Sequence, residues 1–203
     1  MPSSLLTSLI DVDDCLLIVI DVQAVFLRKL PERDSELLVN RIGWLVQVAD
    51  KLHVPIIGTA EDMARLGGLV SPIAEKLPGG TAVYDKMIFG LADQPDILAA
   101  VARTGRKTAV LVGLETDVCI AHSALGLLQQ GYNVVAVSDA TASPDSGQAI
   151  SGQMIGLERM RRAGVLLVTA KSLYYEWLRT VTAADEFRAN FEREIRLPKG
   201  VDL

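Results

Sequence analysis

Three side chains capable of chemistry stand at the ends of apolar runs in this 203-residue chain. Asp21 follows Cys15–Ile20, Lys86 follows Ala82–Tyr84 and Asp85, and Cys119 lies just beyond Lys107–Val112. A thiol attacks only as thiolate, and a free cysteine ionises near pH ~8.5, so a nucleophilic Cys119 needs help. Lys86 as a nearby cation and the free N–H groups of a helix start both favour the thiolate. Asp21 can accept the thiol proton and later return it to a leaving group, as general base and then general acid. Each residue taken alone has a plainer reading. Small cysteines are common in cores, strand-end lysines snorkel to solvent, and an aspartate can cap a loop. Three such groups on one edge of a sheet make the chemical reading the stronger one.

The elements that must position them follow from hydrophobic patterning. Cys15–Ile20 is a continuous apolar run, the mark of a strand buried on both faces. Further strands are predicted at 55–59, 82–84, 107–112, 133–138 and 165–169. Helices are predicted at 35–52, 95–103, from about 115 to 130, 144–162, from 171 through Leu178, and 183–196. Gly113 ends the fourth strand, and Glu115, Thr116 and Asp117 open the helix that carries Cys119 in its first turn. The stretch 61–80, punctuated by Gly and Pro, reads as an irregular excursion over the sheet end. This alternation implies an α/β fold, one parallel sheet covered by helices on both faces, in a single domain. Its core spans about 13–180, with a helical tail over 183–203. Open sheets of this kind place their sites at the carboxyl ends of the strands.

Composition narrows the function. The formal charge of −5 and pI near 5.1 argue against a nucleic-acid partner. No stretch offers the ~20 uninterrupted apolar residues of a membrane span. Residues 1–7 lack the basic region and cleavage site of a signal peptide. Cys15 and Cys119 have no metal-site spacing, which points to a reduced, cytoplasmic protein. With His53 and His122 the only histidines, no metal site is expected. No Gly-x-Gly-x-x-Gly or Gly-Lys-Ser/Thr loop is present, so no nucleotide cofactor is implied.

Three blocks resemble a known family. Ile20-Asp21-Val22-Gln23 with Phe26, Asp85-Lys86 with Gly90 following, and Gly113-Leu114-Glu115-Thr116-Asp117-Val118-Cys119 are similar in order and spacing to the signatures of isochorismatase-like cysteine hydrolases. The resemblance covers about Leu16 to Leu178 and includes nicotinamidases, N-carbamoylsarcosine amidases and isochorismatases. It implies a Rossmann-like three-layer α/β/α fold with a six-stranded parallel sheet and an Asp21–Lys86–Cys119 triad. It also implies a non-proline cis peptide between Leu114 and Glu115, with the backbone N–H groups of Glu115 and Cys119 forming an oxyanion hole. The activity implied is hydrolysis of a small amide-like C–N substrate through a thioester. The alternatives are an isochorismatase-type vinyl-ether hydrolase and a catalytically silent small-molecule binder. A homo-oligomer, dimer or tetramer, is implied as well.

The nicotinamidases carry an Asp-x-His…His metal site after the second strand, whereas Gly58–Arg65 here holds no histidine. Glu61 and Asp62 in that stretch read as solvated acids rather than cation ligands. His122 reads as packing or hydrogen bonding, and His53 as structural or exposed. Phe26, Thr59, Phe89 and Thr141 are candidates to line a substrate pocket. Tyr174, Tyr175 and Trp177 read as core or subunit contact before substrate recognition.

Overall fold

Every residue of Cys15–Ile20 (β1) is buried, and the two faces of the strand feed two different cores. Leu17 and Val19 pack with one apolar cluster, Leu16, Ile18 and Ile20 with another. Period-two alternation sends successive side chains to opposite faces, so an unbroken apolar run fits only a strand covered on both sides. In the computed structural model residues 8–145, 147, 150–201 and 203 are described. The leader over 1–7 and the signal-peptide reading made on it lie outside them.

Six parallel strands form one sheet in the order β3-β2-β1-β4-β5-β6, with Ile56–Glu61 (β2), Val83–Lys86 (β3), Thr108–Leu114 (β4), Asn133–Ala142 (β5) and Leu166–Val168 (β6). The order reverses between β1 and β4, and the crevice at such a reversal is where open α/β sheets bind ligands. Asp21 leaves β1 and Cys119 follows β4, so both stand at that point.

Helices cover both faces, as the alternation predicts. Glu32–Lys51 (α2), Ala170–Leu178 (α8) and Val181–Phe191 (α9) bury Leu45, Tyr174, Trp177 and Phe187 in one core. Pro95–Arg103 (α5), Ala121–Gln129 (α6) and Gly152–Ala163 (α7) supply Ile97, Leu127 and Met160 to the other. A single turn, Ala24–Leu27 (α1), precedes α2. The excursion over 61–80 contains two more single turns, Met63–Leu66 (α3) and Ser71–Ala74 (α4).

Several boundaries differ from the sequence reading. β4 passes through Gly113 to Leu114, and β5 runs on to Ala142, with a register shift between Leu111 and Gly113. Gly113 has φ of 126°, and a Cβ there would lie 1.9 Å from the Ile20 carbonyl oxygen, so only glycine lets these strands approach. The helix expected from 144 begins at Gly152, where the Ser151 hydroxyl caps the amide of Met154. Residues 146, 148 and 149 of the expected span lie outside the described residues. The tail helix, expected over 183–196, instead runs Val181–Phe191.

Candidate active site

Asp21 sits immediately after β1 in a left-handed conformation, φ 52°, and its amide donates to the Thr59 carbonyl at 3.0 Å. A non-glycine residue in this region is uncommon and costs ~1–3 kcal/mol, so surrounding contacts must hold it. Here they are the hydrogen bond from Thr59 Oγ1 to Asp21 Oδ1, 2.9 Å, and the ion pair from Lys86 Nζ to Oδ2, 2.9 Å. Asp21, Thr59 and Lys86 are all fully buried.

Lys86 ends β3 and reaches inward. Its ammonium donates to the carbonyls of Ile88 and Phe89, each at 3.2 Å, and to Cys119 Sγ at 3.5 Å. The snorkelling alternative therefore does not describe it. One cation joins the carboxylate and the thiol, and the structure brings together the three residues singled out by sequence.

Cys119 lies in a five-residue π-helical turn, Thr116–Ile120, that leads into α6. Such turns are rare in proteins and recur at functional sites. The Leu114–Glu115 peptide is cis, as the family resemblance implies. Glu115 is the N-cap of the turn, and its carbonyl accepts from the amides of Val118 and Ile120. Gly152 and Gly156 of α7 pack on Asp117, whose Cα would lie 2.8 Å from a Cβ at Gly156. Asp117 also accepts a hydrogen bond from the Ser143 hydroxyl.

The electrostatics correct one expectation. Burial pushes the Asp21 carboxyl up, with the charge and hydrogen bond of Lys86 acting against that push. Burial also pushes the Cys119 thiol up, and the Asp21 carboxylate adds to it. Lys86 pulls the thiol the other way without reversing the balance. Burial and Asp21 together thus favour the protonated thiol over a preformed thiolate.

Glu61 is a site residue that the sequence reading missed. It is half-buried, and its Oε2 accepts from the Cys119 thiol at 3.6 Å. Thr59 and Glu61 are two apart on β2 and so share a face, and Glu61 pairs in register with Lys86. That alternation was the available signal. Asp62, in contrast, pairs with exposed Arg65 at 2.9 Å. Donor atoms of Asp21, Glu61 and Cys119 lie within 4.8 Å of one another, close enough to share a cation, and Lys86 Nζ stands against two of the three.

The remaining candidates fall around this centre. Phe89 is half-exposed, and its ring lies 6.0 Å from Lys86 Nζ and in edge contact with exposed His122. Phe26 is partly buried beneath Lys29, which pairs with Glu115 at 2.8 Å. Thr141 is buried, its hydroxyl donates to the Ser138 carbonyl, and it lines a recess with Arg41, Asp139 and Gln153 away from the thiol. His53 is exposed. Tyr174 and Trp177 are buried in the core, Tyr174 against Trp44 and Phe187.

Comparison with known proteins shows the family and the fold. The family model described as "Isochorismatase domain" matches residues 15–172. The secreted isochorismatase effector Isc1 of Phytophthora sojae is 32% identical over 79% of this chain and 75% of its own. The YcaC structure from Escherichia coli, described as an octameric hydrolase of unknown specificity, superposes with a TM-score of 0.77 at 22% identity, covering 97% of this chain and 95% of that one. YcaC from Pseudomonas aeruginosa, solved with hexane-2,5-diol and covalent acrylamide, gives 0.79 at 23% identity, over 92% and 94%.

Proposed function

This chain belongs to the isochorismatase family of hydrolases, and from that premise we propose that it is a cysteine hydrolase of small amide-like substrates. The observation that carries the proposal is the placement of Lys86 Nζ between Asp21, 2.9 Å away, and Cys119 Sγ, 3.5 Å away, with all three side chains buried. Because burial and Asp21 hold the proton on the thiol, its deprotonation belongs to the attack itself. The S–H proton passes to Asp21 as the Cys119 Sγ–carbon bond forms. Lys86 compensates the charge developing on sulfur, and the amides of Glu115 and Cys119 receive the oxyanion. Collapse breaks the C–N bond, and the departing amine takes the proton from Asp21. Water, deprotonated by Asp21, then attacks the thioester. The acid product leaves and the thiol regains its proton. Phe26 and Phe89 flank the substrate site, Thr59 acts on it through its hydrogen bond to Asp21, and Thr141 stands at greater remove.

The upward push on the thiol favours a second reading within the family. A vinyl-ether hydrolase needs a proton donor more than a thiolate, and Asp21, itself raised, suits that role. Ammonia release from a panel of primary amides, lost in Cys119→Ala, supports the amidase. Pyruvate release from isochorismate that survives Cys119→Ala supports the ether hydrolase. Neither product would leave a small-molecule binder as the working description.

A homo-oligomer is part of the proposal. Ile150, Met154 and Ile155 form an exposed apolar face at the start of α7, a common mark of protein–protein contact, and the E. coli YcaC relative is octameric. A reducing, cytoplasmic setting fits two free cysteines, although the Phytophthora relative is named as secreted. No helix among the described residues is long and apolar enough to cross a membrane.

A further inference from the structure

The site carries one more negative charge than the proposed hydrolysis uses. Asp21 is matched by Lys86, yet Glu61 forms no ion pair among the described residues. Arg65, four residues along the chain, pairs with Asp62, and Lys29 pairs with Glu115. Among the described residues the Glu61 carboxylate has one side-chain partner, the thiol of Cys119. Its backbone is fixed on both sides by fully buried Gln23, whose Oε1 accepts from the Glu61 amide at 2.7 Å and whose Nε2 donates to its carbonyl at 2.8 Å. Gln23 Nε2 also donates to the Gly67 carbonyl at 2.6 Å, tying the excursion to the same clamp. A half-buried carboxylate on a clamped backbone, 3.6 Å from the nucleophile and without an ion partner, is placed to attract a group of opposite charge.

From this we infer that Glu61 is a specificity-determining residue, selecting amide substrates that carry a positive charge within one or two bonds of the scissile carbonyl carbon. The inference rests on the reading of Cys119 as the nucleophile. A carbon bonded to Cys119 Sγ places its own substituents beside the Glu61 carboxylate. An ammonium or amidinium there completes the ion pair, whereas a substrate carboxylate meets Glu61 and Asp21 together. The same charge pattern weighs against a dianionic substrate of the isochorismate kind. The upward effect of Glu61 on the thiol is compensated in the same way once such a cation binds.

Small thiol reagents of different charge test this without knowledge of the substrate. Labelling rates of Cys119 are measured by mass spectrometry with 2-aminoethyl, methyl and 2-sulfonatoethyl methanethiosulfonate, each divided by its rate with free cysteine. The inference expects a normalised cation-to-anion ratio above ten. That ratio should fall at least tenfold in Glu61→Gln and hold in Asp62→Asn, a neighbouring charge change outside the site. Any change in thiol acidity alters all three rates together and cancels in the ratio. A wild-type enzyme without charge preference, or an unchanged ratio in Glu61→Gln, overturns the inference and leaves the nucleophile reading intact. If none of the three reagents labels Cys119, the nucleophile reading fails, and this inference fails with it.

Discussion

Lys86 Nζ and Asp21 Oδ2 form a 2.9 Å ion pair in which neither side chain touches solvent. Removing one partner of a buried pair leaves an uncompensated charge and costs about 3–5 kcal/mol. Lys86→Met should therefore destabilise the protein by that order in urea denaturation, and Asp21→Asn should do so as well. The double variant should recover much of the loss, because neither charge is then stranded. Recovery of stability without recovery of activity would separate the two roles of the pair. A double variant no more stable than either single one would show that the pair is not a coupled unit.

Thr59 and Asp21 give a prediction about pH. The Thr59 hydroxyl donates to Asp21 Oδ1 at 2.9 Å, which favours the charged carboxylate and lowers its pKa against the push of burial. Thr59→Val removes the donor at nearly constant volume, so Asp21 should hold its proton to higher pH. The acid limb of kcat/KM should move upward, with the basic limb unchanged. An acid limb that stays in place would mean another group sets it.

Cys119 alkylation by iodoacetamide should keep rising with pH beyond the ~8.5 of a free thiol, because burial and Asp21 hold the proton on sulfur. Asp21→Asn should shift that curve downward by removing a negative neighbour. Lys86→Met should shift it further up by removing the compensating cation. Cys15, fully buried with its thiol pushed up to about 12, serves as the inert reference. A plateau below pH 8 in the wild-type protein would contradict this account.

Most of this arrangement is legible in the sequence. An apolar run followed at once by Asp21, and another followed by Asp85-Lys86, mark strand ends carrying chemistry. The Gly113–Cys119 block marks the turn between β4 and α6. Glu61 escaped because an acid beside Asp62 and Arg65 in a Gly-punctuated stretch looks solvated. Only the extension of β2 to Glu61 turns it onto the face of Thr59. Lys86 pulls the Cys119 thiol in the direction the sequence implies, but burial outweighs it. Sequence reveals the nearby cation but not the depth of burial, and burial dominates. Pro144 and Asp145 resemble a helix start, whereas the cap of α7 is made by Ser151.

Two glycines should separate fold from chemistry. A Cβ at Gly113 meets the backbone of Ile20 at 1.9 Å, and φ of 126° disfavours any L side chain. Neither fault can relax without separating β1 from β4, so Gly113→Ala should cost about 3 kcal/mol or more and leave little folded protein at 37 °C. Gly156 differs, since a Cβ there meets Asp117 Cα at 2.8 Å, at the π-helical turn rather than in the sheet. Gly156→Ala should displace that turn at a cost of about 1–3 kcal/mol, the range for overpacking, while the sheet stays assembled. Because Cys119 is two residues further along, its position relative to Lys86 should shift with the turn, and a misplacement near 1 Å can cost about a hundredfold in rate. The expected signature is a folded protein with a modestly lowered melting temperature and a much reduced kcat. If Gly156→Ala retains full activity at that lowered stability, the turn tolerates displacement and its contact with α7 is structural alone.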